Sequence, residues 1–371
     1  MKITDIELIH VKPRWLFLKV YTDEDIVGYG EPILEGKART VETAVKEFYE
    51  YLKGKDPTKI EYHWQAMYRW SFYRGGPIIM SAISGIEQAL WDILGKHLNQ
   101  PVYNLLGGPV RGKIKLYAGI GGRTTEECVE NALNRVKAGF KAVKMAPFPA
   151  TRIVDKPKVI KDAAEKVKAV REAVGDQIDI GIDCHGRLSP SMAVLMAKAL
   201  EPYMPMFLEE PCLPENVDTM VTVARSTSIP IATGERLFTR WGFREVLEKQ
   251  AAAILQPDLC HAGGILECRK IAAMAEVYYA AVAPHNPLGP IALAACLQLD
   301  ACTPNFLVQE HATLGEGYLK KPFELKDGFV EVPKGPGLGI ELDEEKIEEK
   351  RYSGDWKNPR LTHEDGSVAD W

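Results

Sequence analysis

The chain of 371 residues lacks most of the marks by which common site chemistries announce themselves. Its seven cysteines form an odd set without a CxxC pair, which argues against a disulfide framework or a thiolate zinc site and points to a reducing, cytoplasmic setting. No GxxxxGK[ST] phosphate loop occurs, and the glycines of GIGGR at 119–123 are too few for a dinucleotide-binding turn. A GxSxG nucleophile elbow is also missing. No apolar run approaches about 18 residues, so no membrane span is expected. The opening MKITDIELIHVKPRW carries acidic residues inside an alternating pattern and reads as a strand, not a signal peptide. Excess charge is small, −5, and Lys and Arg are scattered; with no continuous basic face, neither nucleic acid nor an anionic membrane is expected as a partner. A small-molecule ligand is favoured.

What the chain does have is ordinary globular material, 46% hydrophobic and 26% charged, in a length that outgrows a single core. One large domain and one smaller one are therefore expected. Residues 2–10, 16–22 and 23–31 read as a small antiparallel sheet, followed by helical periods over 40–53 and 78–99, so segment 1–112 is expected to be an α+β capping domain. From about 113 short apolar strands alternate with amphipathic helices, the pattern of parallel βαβ units. Eight strands are legible: 115–120, 142–146, 178–185, 206–210, 229–235, 252–258, 280–285 and 306–310. Thr124 and Glu127 have capping-box form ahead of a helix whose apolar Val129, Leu133 and Val136 share a face, with Gly139 placed to end it. No full helix follows strand eight. The expected fold is a TIM-type (β/α)7β barrel over 113–320, with the Gly/Pro-punctuated tail 321–371 returning to the capping domain. The aromatic stretch YHWQAMYRWSFY at 62–73 suits a packed domain junction or an interface between copies, and a homo-oligomer is expected.

Three acidic residues stand at the ends of successive strands, each 26 residues after the last: Asp183, Glu209 and Glu235. One strand, one helix and two turns take about 25 residues in such a barrel, whose C-terminal strand ends carry the active site. A lone acid of this kind is usually a surface pair or a cap. Three at matched strand ends describe a seat for a hard divalent cation, Mg²⁺ rather than zinc, since no cysteine or second histidine joins the set. Glu210 adjoins Glu209 and must face the other way; parity does not choose between them, and equal spacing favours Glu209. Strand parity also puts His185 on the side of Asp183. Asp258 and His285 end adjacent strands, so that Asp258 can hold one ring nitrogen of His285 and leave the other as a base. Glu310 ends strand eight, either neutral and donating a hydrogen bond to a developing oxyanion or charged and paired with a cation. Lys144 ends strand two, as an electrostatic aid to the site or as a buried-stem lysine. Arg14 and Arg236 are further candidate substrate contacts, and loops of the N-terminal domain that include Arg14, Trp15 and Tyr73–Gly76 are expected to decide which substrate is held. Of the remaining histidines, His261 and His311 fall in loops beyond strands six and eight, where they can line the mouth without acting.

The ordered set Asp183, His185, Glu209, Glu235, Asp258, His285 and Glu310 resembles the enolase superfamily in its mandelate racemase-like branch. Within it the chain is similar to the sugar-acid dehydratases that act on galactonate, through PRWLFLKV, EGKARTVE, FYRGGPIIMSAISGIEQALWDI, HAGGI, PHNPLGPIALAACLQLD, PGLGIELDE and HEDGSVADW. The resemblance implies Asp183, Glu209 and Glu235 as ligands of one Mg²⁺, His285 tuned by Asp258 as the base at C2, His185 as the acid at the departing 3-hydroxyl, and Glu310 stabilising the enediolate. The superfamily's use of a Lys or His base with Mg²⁺ is a general property of such sites. At the end of strand two the dehydratases carry Lys-Leu-Asn and the racemases Lys-x-Lys, whereas this chain has Lys144-Met145-Ala146, and the following PFPATRIVDKP differs too. Ala146 takes away a polar contact, which bears on which sugar acid is held. The alternatives are a dehydratase of another aldonate, or an acid-sugar epimerase or cycloisomerase using the same enediolate; a non-catalytic barrel would be expected to have lost one of the seven residues.

Overall fold

The computed structural model describes residues 1–371 and begins with a three-stranded antiparallel sheet of β1 (Ile3–Val11), β2 (Trp15–Thr22) and β3 (Val27–Gly30). Four helices follow: α1 (Ala38–Leu52), α2 (Ile60–Arg69), α3 (Pro77–His97) and the single turn α4 (Val102–Leu105). The sequence pattern anticipates α1 and α3 within two residues at each end; it gives no sign of α2 or α4. Helix α3 starts on Pro77, whose missing N–H costs nothing at that position. By length and composition α3 could cross a membrane, but 83% of its most apolar window is buried inside the protein, where it joins the small sheet to the barrel.

Eight parallel strands make the second part: β4 (Lys113–Gly119), β5 (Ala142–Met145), β6 (Asp179–Asp183), β7 (Phe207–Glu209), β8 (Ile231–Thr233), β9 (Ile254–Leu255), β10 (Ala281–Val282) and β11 (Gln309–Glu310). Between them run α5 (Thr125–Lys137), α6 (Pro157–Val174), α7 (Pro190–Leu200), α8 (Val217–Ala224), α9 (Thr239–Glu248), α10 (Ile265–Val277) and α11 (Pro290–Cys302). The strands are hydrogen-bonded in the order β10-β9-β8-β7-β6-β5-β4-β11. The ring closes where Val282 N donates to Asn305 O (2.9 Å) and Leu307 N to Val282 O (2.8 Å), just ahead of β11. No helix follows β11, which gives the expected (β/α)7β barrel. Its interior is a packed layer of Tyr117, Ala142, Phe207, Ala232, Ile254, Ala283 and Val308, large residues alternating with small ones as a closed barrel requires. Gly181 of β6 is the smallest member, because a Cβ there would lie 2.6 Å from the Phe207 ring.

Helix α5 carries the expected capping box, Thr124 with Glu127, but its inward face is Cys128 and Ala132. Leu133 is 45% exposed, because the buried stripe is rotated one residue from the one that apolarity alone suggests. The tail returns to the N-terminal part only beyond its first strand. Its strand β12 (Phe329–Glu331) pairs antiparallel with Lys113–Lys115 of the barrel, not with the N-terminal sheet. The cause is that β4 starts before its neighbours: β11 pairs from Leu116 and β5 from Ala118, which leaves the first residues of β4 with unpaired backbone groups. The bridges Pro101–Gly337 and Val11–Arg351, the latter just after α12 (Glu344–Glu349), lie against the N-terminal part.

Candidate active site

The three spaced carboxylates converge at the C-terminal strand ends. Asp183 ends β6 directly opposite Glu209, which ends β7. Glu235 lies two residues beyond β8, past Gly234 at φ +145°, where a Cβ would stand 2.9 Å from the Gln256 backbone. One oxygen from each of the three lies within 4.8 Å of the others. Glu210 turns away with φ +37° and accepts from Arg236 Nε (2.8 Å) and Nη2 (2.5 Å), which settles the choice that parity left open. Arg236 lines the cavity but is already committed to that pair.

Lys144 reaches into the same cluster, with Nζ 3.1 Å from Asp183, 3.0 Å from Glu209 and 2.9 Å from Glu310. Burial works against its charge, but those three carboxylates outweigh it and hold the ammonium well above the ordinary lysine range. Burial also pushes Asp183 upward, and Lys144 and His185 more than offset this, leaving it below its usual value. Glu209, fully buried, is not relieved enough: burial and then the charge of Asp183 drive it well up in spite of Lys144. Three acids therefore share one lysine, and Glu235 completes a cluster that offers only oxygen. The donor set fits a hard divalent cation, and the protonation pressure on Glu209 is what a further positive charge would remove.

Two histidines flank the carboxylates. His185 Nε2 lies 3.3 Å from Asp183 Oδ2, and His285 Nε2 lies 3.3 Å from Glu235 Oε2. The extended backbone expected through His185 is not found: β6 stops at Asp183, and His185 sits at φ +50° in a turn where its N–H bonds Asp183 Oδ1 (3.0 Å). The ring reaches the expected cavity by this turn instead of by strand parity. Burial lowers its basicity. His285 behaves oppositely. Burial lowers it, yet Glu235, Glu310 and Asp258 together raise it well above the ordinary histidine value. The dyad expected from topology is present, with Asp258 Oδ2 2.8 Å from His285 Nδ1.

Glu310 accepts from Lys144 and from the Asn286 N–H (2.9 Å). Burial raises it, but Lys144 and His285 bring it below its usual value, and with both oxygens facing donors the arrangement favours the charged, paired form over the neutral donor. Arg14 pairs with Glu35 (2.6 Å) at the rim. A cavity of about 890 Å³ joins these groups, lined also by Ala146, Phe238, Asn358, Asp370 and Trp371. Trp15 and Tyr73–Gly76, the loop residues expected near Arg14 at the substrate end, are not among its lining; Leu34, Glu35 and Pro77 take that place.

His261 takes the place at the mouth that its loop beyond strand six suggests. It lines the cavity, with Nε2 3.7 Å from Asp258 and Nδ1 2.9 Å from Ser81 Oγ of α3. Its position three residues after Asp258 in a tight turn, where Asp258 O accepts from His261 N (3.0 Å), was the available signal. Asp370 and Trp371 gave none, since nothing local says that residues near 370 return to a strand end near 185.

A closed parallel barrel with carboxylates, a lysine and two flanking histidines at its strand ends is the arrangement of an acid–base enzyme built around a cation seat. The chain belongs to the enolase superfamily, in its mandelate racemase and muconate lactonizing enzyme branch: residues 9–107 match the N-terminal domain of mandelate racemase / muconate lactonizing enzyme, and residues 127–346 the enolase C-terminal domain-like family. A D-galactonate dehydratase of Variovorax paradoxus is 50% identical over the full length of both chains. An enolase from Agrobacterium radiobacter, solved with sodium and L-malate, is 33% identical with a TM-score of 0.94, covering 100% of both chains. A member of the enolase superfamily from Salmonella Typhimurium is 34% identical with a TM-score of 0.89, over 94% of this chain and 97% of its own.

Proposed function

We propose that the protein is a sugar-acid dehydratase that converts D-galactonate to its 2-keto-3-deoxy acid. The observation that carries this reading is the placement of two imidazoles on either side of the carboxylate cluster, His185 beside Asp183 and His285 beside Glu235. The 50% identity to a D-galactonate dehydratase over the full length of both chains supports that substrate. Asp183, Glu209 and Glu235 would hold one Mg²⁺, which when bound supplies charge stabilisation to the substrate carboxylate as the α-carbon loses its proton. His285 takes the C2 proton on Nε2, while Asp258 fixes Nδ1–H and the ring orientation. His185 gives a proton to the 3-hydroxyl, the C3–O bond breaks, and water leaves; the enol left behind tautomerises to the 2-keto acid. Lys144 and the ionised Glu310 balance charge around the reacting carboxylate. Seven buried, free cysteines support a reducing cytoplasmic setting. Exposed Trp70, Phe72 and Tyr73 support self-association.

Incubation with a panel of aldonates and a 2-keto acid assay tests the reading: D-galactonate should be consumed with Mg²⁺, and failure to turn over any aldonate would remove it. H285N should abolish both dehydration and exchange of the C2 proton with D₂O. H185N should lose dehydration by roughly 10²–10⁴-fold while still exchanging C2, as expected for separate acid and base groups. Incorporation of deuterium at C2 by the unaltered protein without loss of water would indicate an epimerase instead.

A further inference from the structure

We infer that Trp371 is a positioning residue for His185: its indole, delivered by a hairpin over the barrel mouth, fixes the imidazole in the orientation that protonates the leaving hydroxyl. The inference rests on the sugar-acid dehydratase reading of the same site. Residues 361–369 fold back on themselves through the Thr362–Val368 bridge, with Ala369 N donating to Leu361 O (3.0 Å) and His363 N to Ser367 O (2.9 Å). Asp365 organises the turn by accepting from Ser367 N (3.0 Å) and Oγ (2.6 Å). The same carboxylate pairs with Arg152 (3.0 Å) in the loop between β5 and α6. That loop is in turn tied to the one after β6, through Thr151 Oγ1 to Arg187 O (2.5 Å) and Ser189 Oγ to Ile153 O (2.5 Å). The hairpin is therefore fastened to the loop that carries His185.

At the end of this hairpin the Trp371 ring lies parallel to His185, with centroids 6.4 Å apart and planes 6° from coplanar, an offset-stacked geometry. His185 needs such a support. Its Nδ1 is buried without a hydrogen-bond partner, and its Nε2 has only Asp183 at 3.3 Å. His285, by contrast, is fixed through Nδ1 by Asp258. The two histidines are thus held by different means, one by a carboxylate behind it and the other by an indole beside it. Trp371 joins none of the hydrophobic clusters of the fold and is 40% exposed toward the cavity mouth, so packing of the core does not explain its place.

The consequence is a split between the two half-reactions. Removal of the indole should weaken the step that uses His185 and spare the step that uses His285. W371A and W371F are to be compared with the unaltered protein for dehydration of D-galactonate, for exchange of its C2 proton with D₂O, and for the His185 Cε1–H proton resonance, assigned with H185N. W371A is expected to lose about tenfold in kcat for dehydration, the scale of one aromatic stacking contact, with KM little changed. The ratio of exchange to dehydration should rise by a similar factor, W371F should recover most of the loss, and the His185 resonance should shift as the indole ring current is removed. Equal loss of both half-reactions, or loss of neither, would overturn the inference, as would a His185 resonance that W371A leaves in place. If the unaltered protein acts on no aldonate, the dehydratase reading fails by itself, and the resonance alone decides whether Trp371 holds His185.

Discussion

At the scale of single residues the site divides into groups that hold position through strands and groups that hold it through side chains. Asp183 and Glu209 are register partners across two strands, so their separation is set by the barrel. His285 depends on Asp258, and Asp258 depends on more than His285. Its Oδ1 accepts from Cys260 N (2.6 Å), and His261 Nε2 stands 3.7 Å from the Oδ2 that faces His285. Ser81 gives its one hydroxyl proton to Pro77 O (2.6 Å), which leaves it an acceptor for His261 Nδ1–H. Asp258→Asn should therefore cost about 10²-fold in kcat, because an amide can present an N–H to His285 Nδ1 and disfavour the productive tautomer. Its Mg²⁺ affinity should be unchanged; steady-state kinetics alongside a metal titration checks both, and a weakened metal site would count against the assignment. Ser81→Ala, two contacts further out, should cost less than tenfold. Most of this site was legible in the sequence because acids and histidines at a 26-residue rhythm report which strand end they occupy. The turn at His185, the reach of His261 and the place of Trp371 were not, since each depends on backbone outside the regular strands or on contacts distant in sequence.

Among the elements, α3 shows what periodicity can and cannot say. Its apolar repeat places it within two residues at either end, yet the same repeat is silent on why it buries five polar side chains. The structure answers through the barrel loop after β9. Ser81 meets His261, Ser84 Oγ accepts from Gly263 N (3.0 Å), and Gln88 donates to Leu259 O (3.0 Å). Asp92 turns instead to Tyr29 N (2.9 Å) and Leu338 N (2.8 Å). Glu87 accepts from Ile265 N (2.7 Å) and Leu266 N (2.9 Å), N–H groups that open α10 and have no partner within the helix. Gly264, at φ +89°, leaves the space: a Cβ there would fall 2.1 Å from Glu87 Oε2. Glu31 does the same for α11, accepting from Gly289 N (2.7 Å) and Ala292 N (3.0 Å). The N-terminal part thus caps two barrel helices from outside their own sequence, an arrangement no local cap signature encodes. Both carboxyls are fully buried, and burial pushes each up to about 8 against the opposing backbone donors. Because the folded protein then binds more protons than the unfolded chain between about pH 4.5 and 8, their contribution to stability is complete below that window and is lost as pH rises through it. Thermal unfolding of the wild type should show this decline, and it should be shallower in E31Q and in E87Q. A decline of unchanged slope in both variants would place its origin elsewhere.

For the whole molecule the carboxylate cluster is a local cost that the barrel carries so that a cation can be seated. Glu209 has no exposed surface and faces Asp183, Glu235 and Glu310 with Lys144 as the only nearby lysine. Breaking a buried pair is ordinarily destabilising because it strands a charge. Here Lys144 would keep Asp183 and Glu310 if Glu209 became neutral, so the usual sign should reverse. Without metal, E209Q should melt at the same temperature as the wild type or higher. With Mg²⁺ at about a hundredfold excess over Kd, the wild type should gain on the order of 2.7 kcal/mol, which for a chain of 371 residues corresponds to a rise in Tm of roughly 3–4 °C. E209Q, short of one anionic oxygen ligand, should gain little. The order of the two proteins should then invert between chelator and Mg²⁺, a crossing that neither a purely structural Glu209 nor a purely catalytic one produces. Melting curves of both proteins in EDTA and in Mg²⁺ decide it: E209Q less stable under both conditions would show that Glu209 serves Lys144 and the fold instead of a cation.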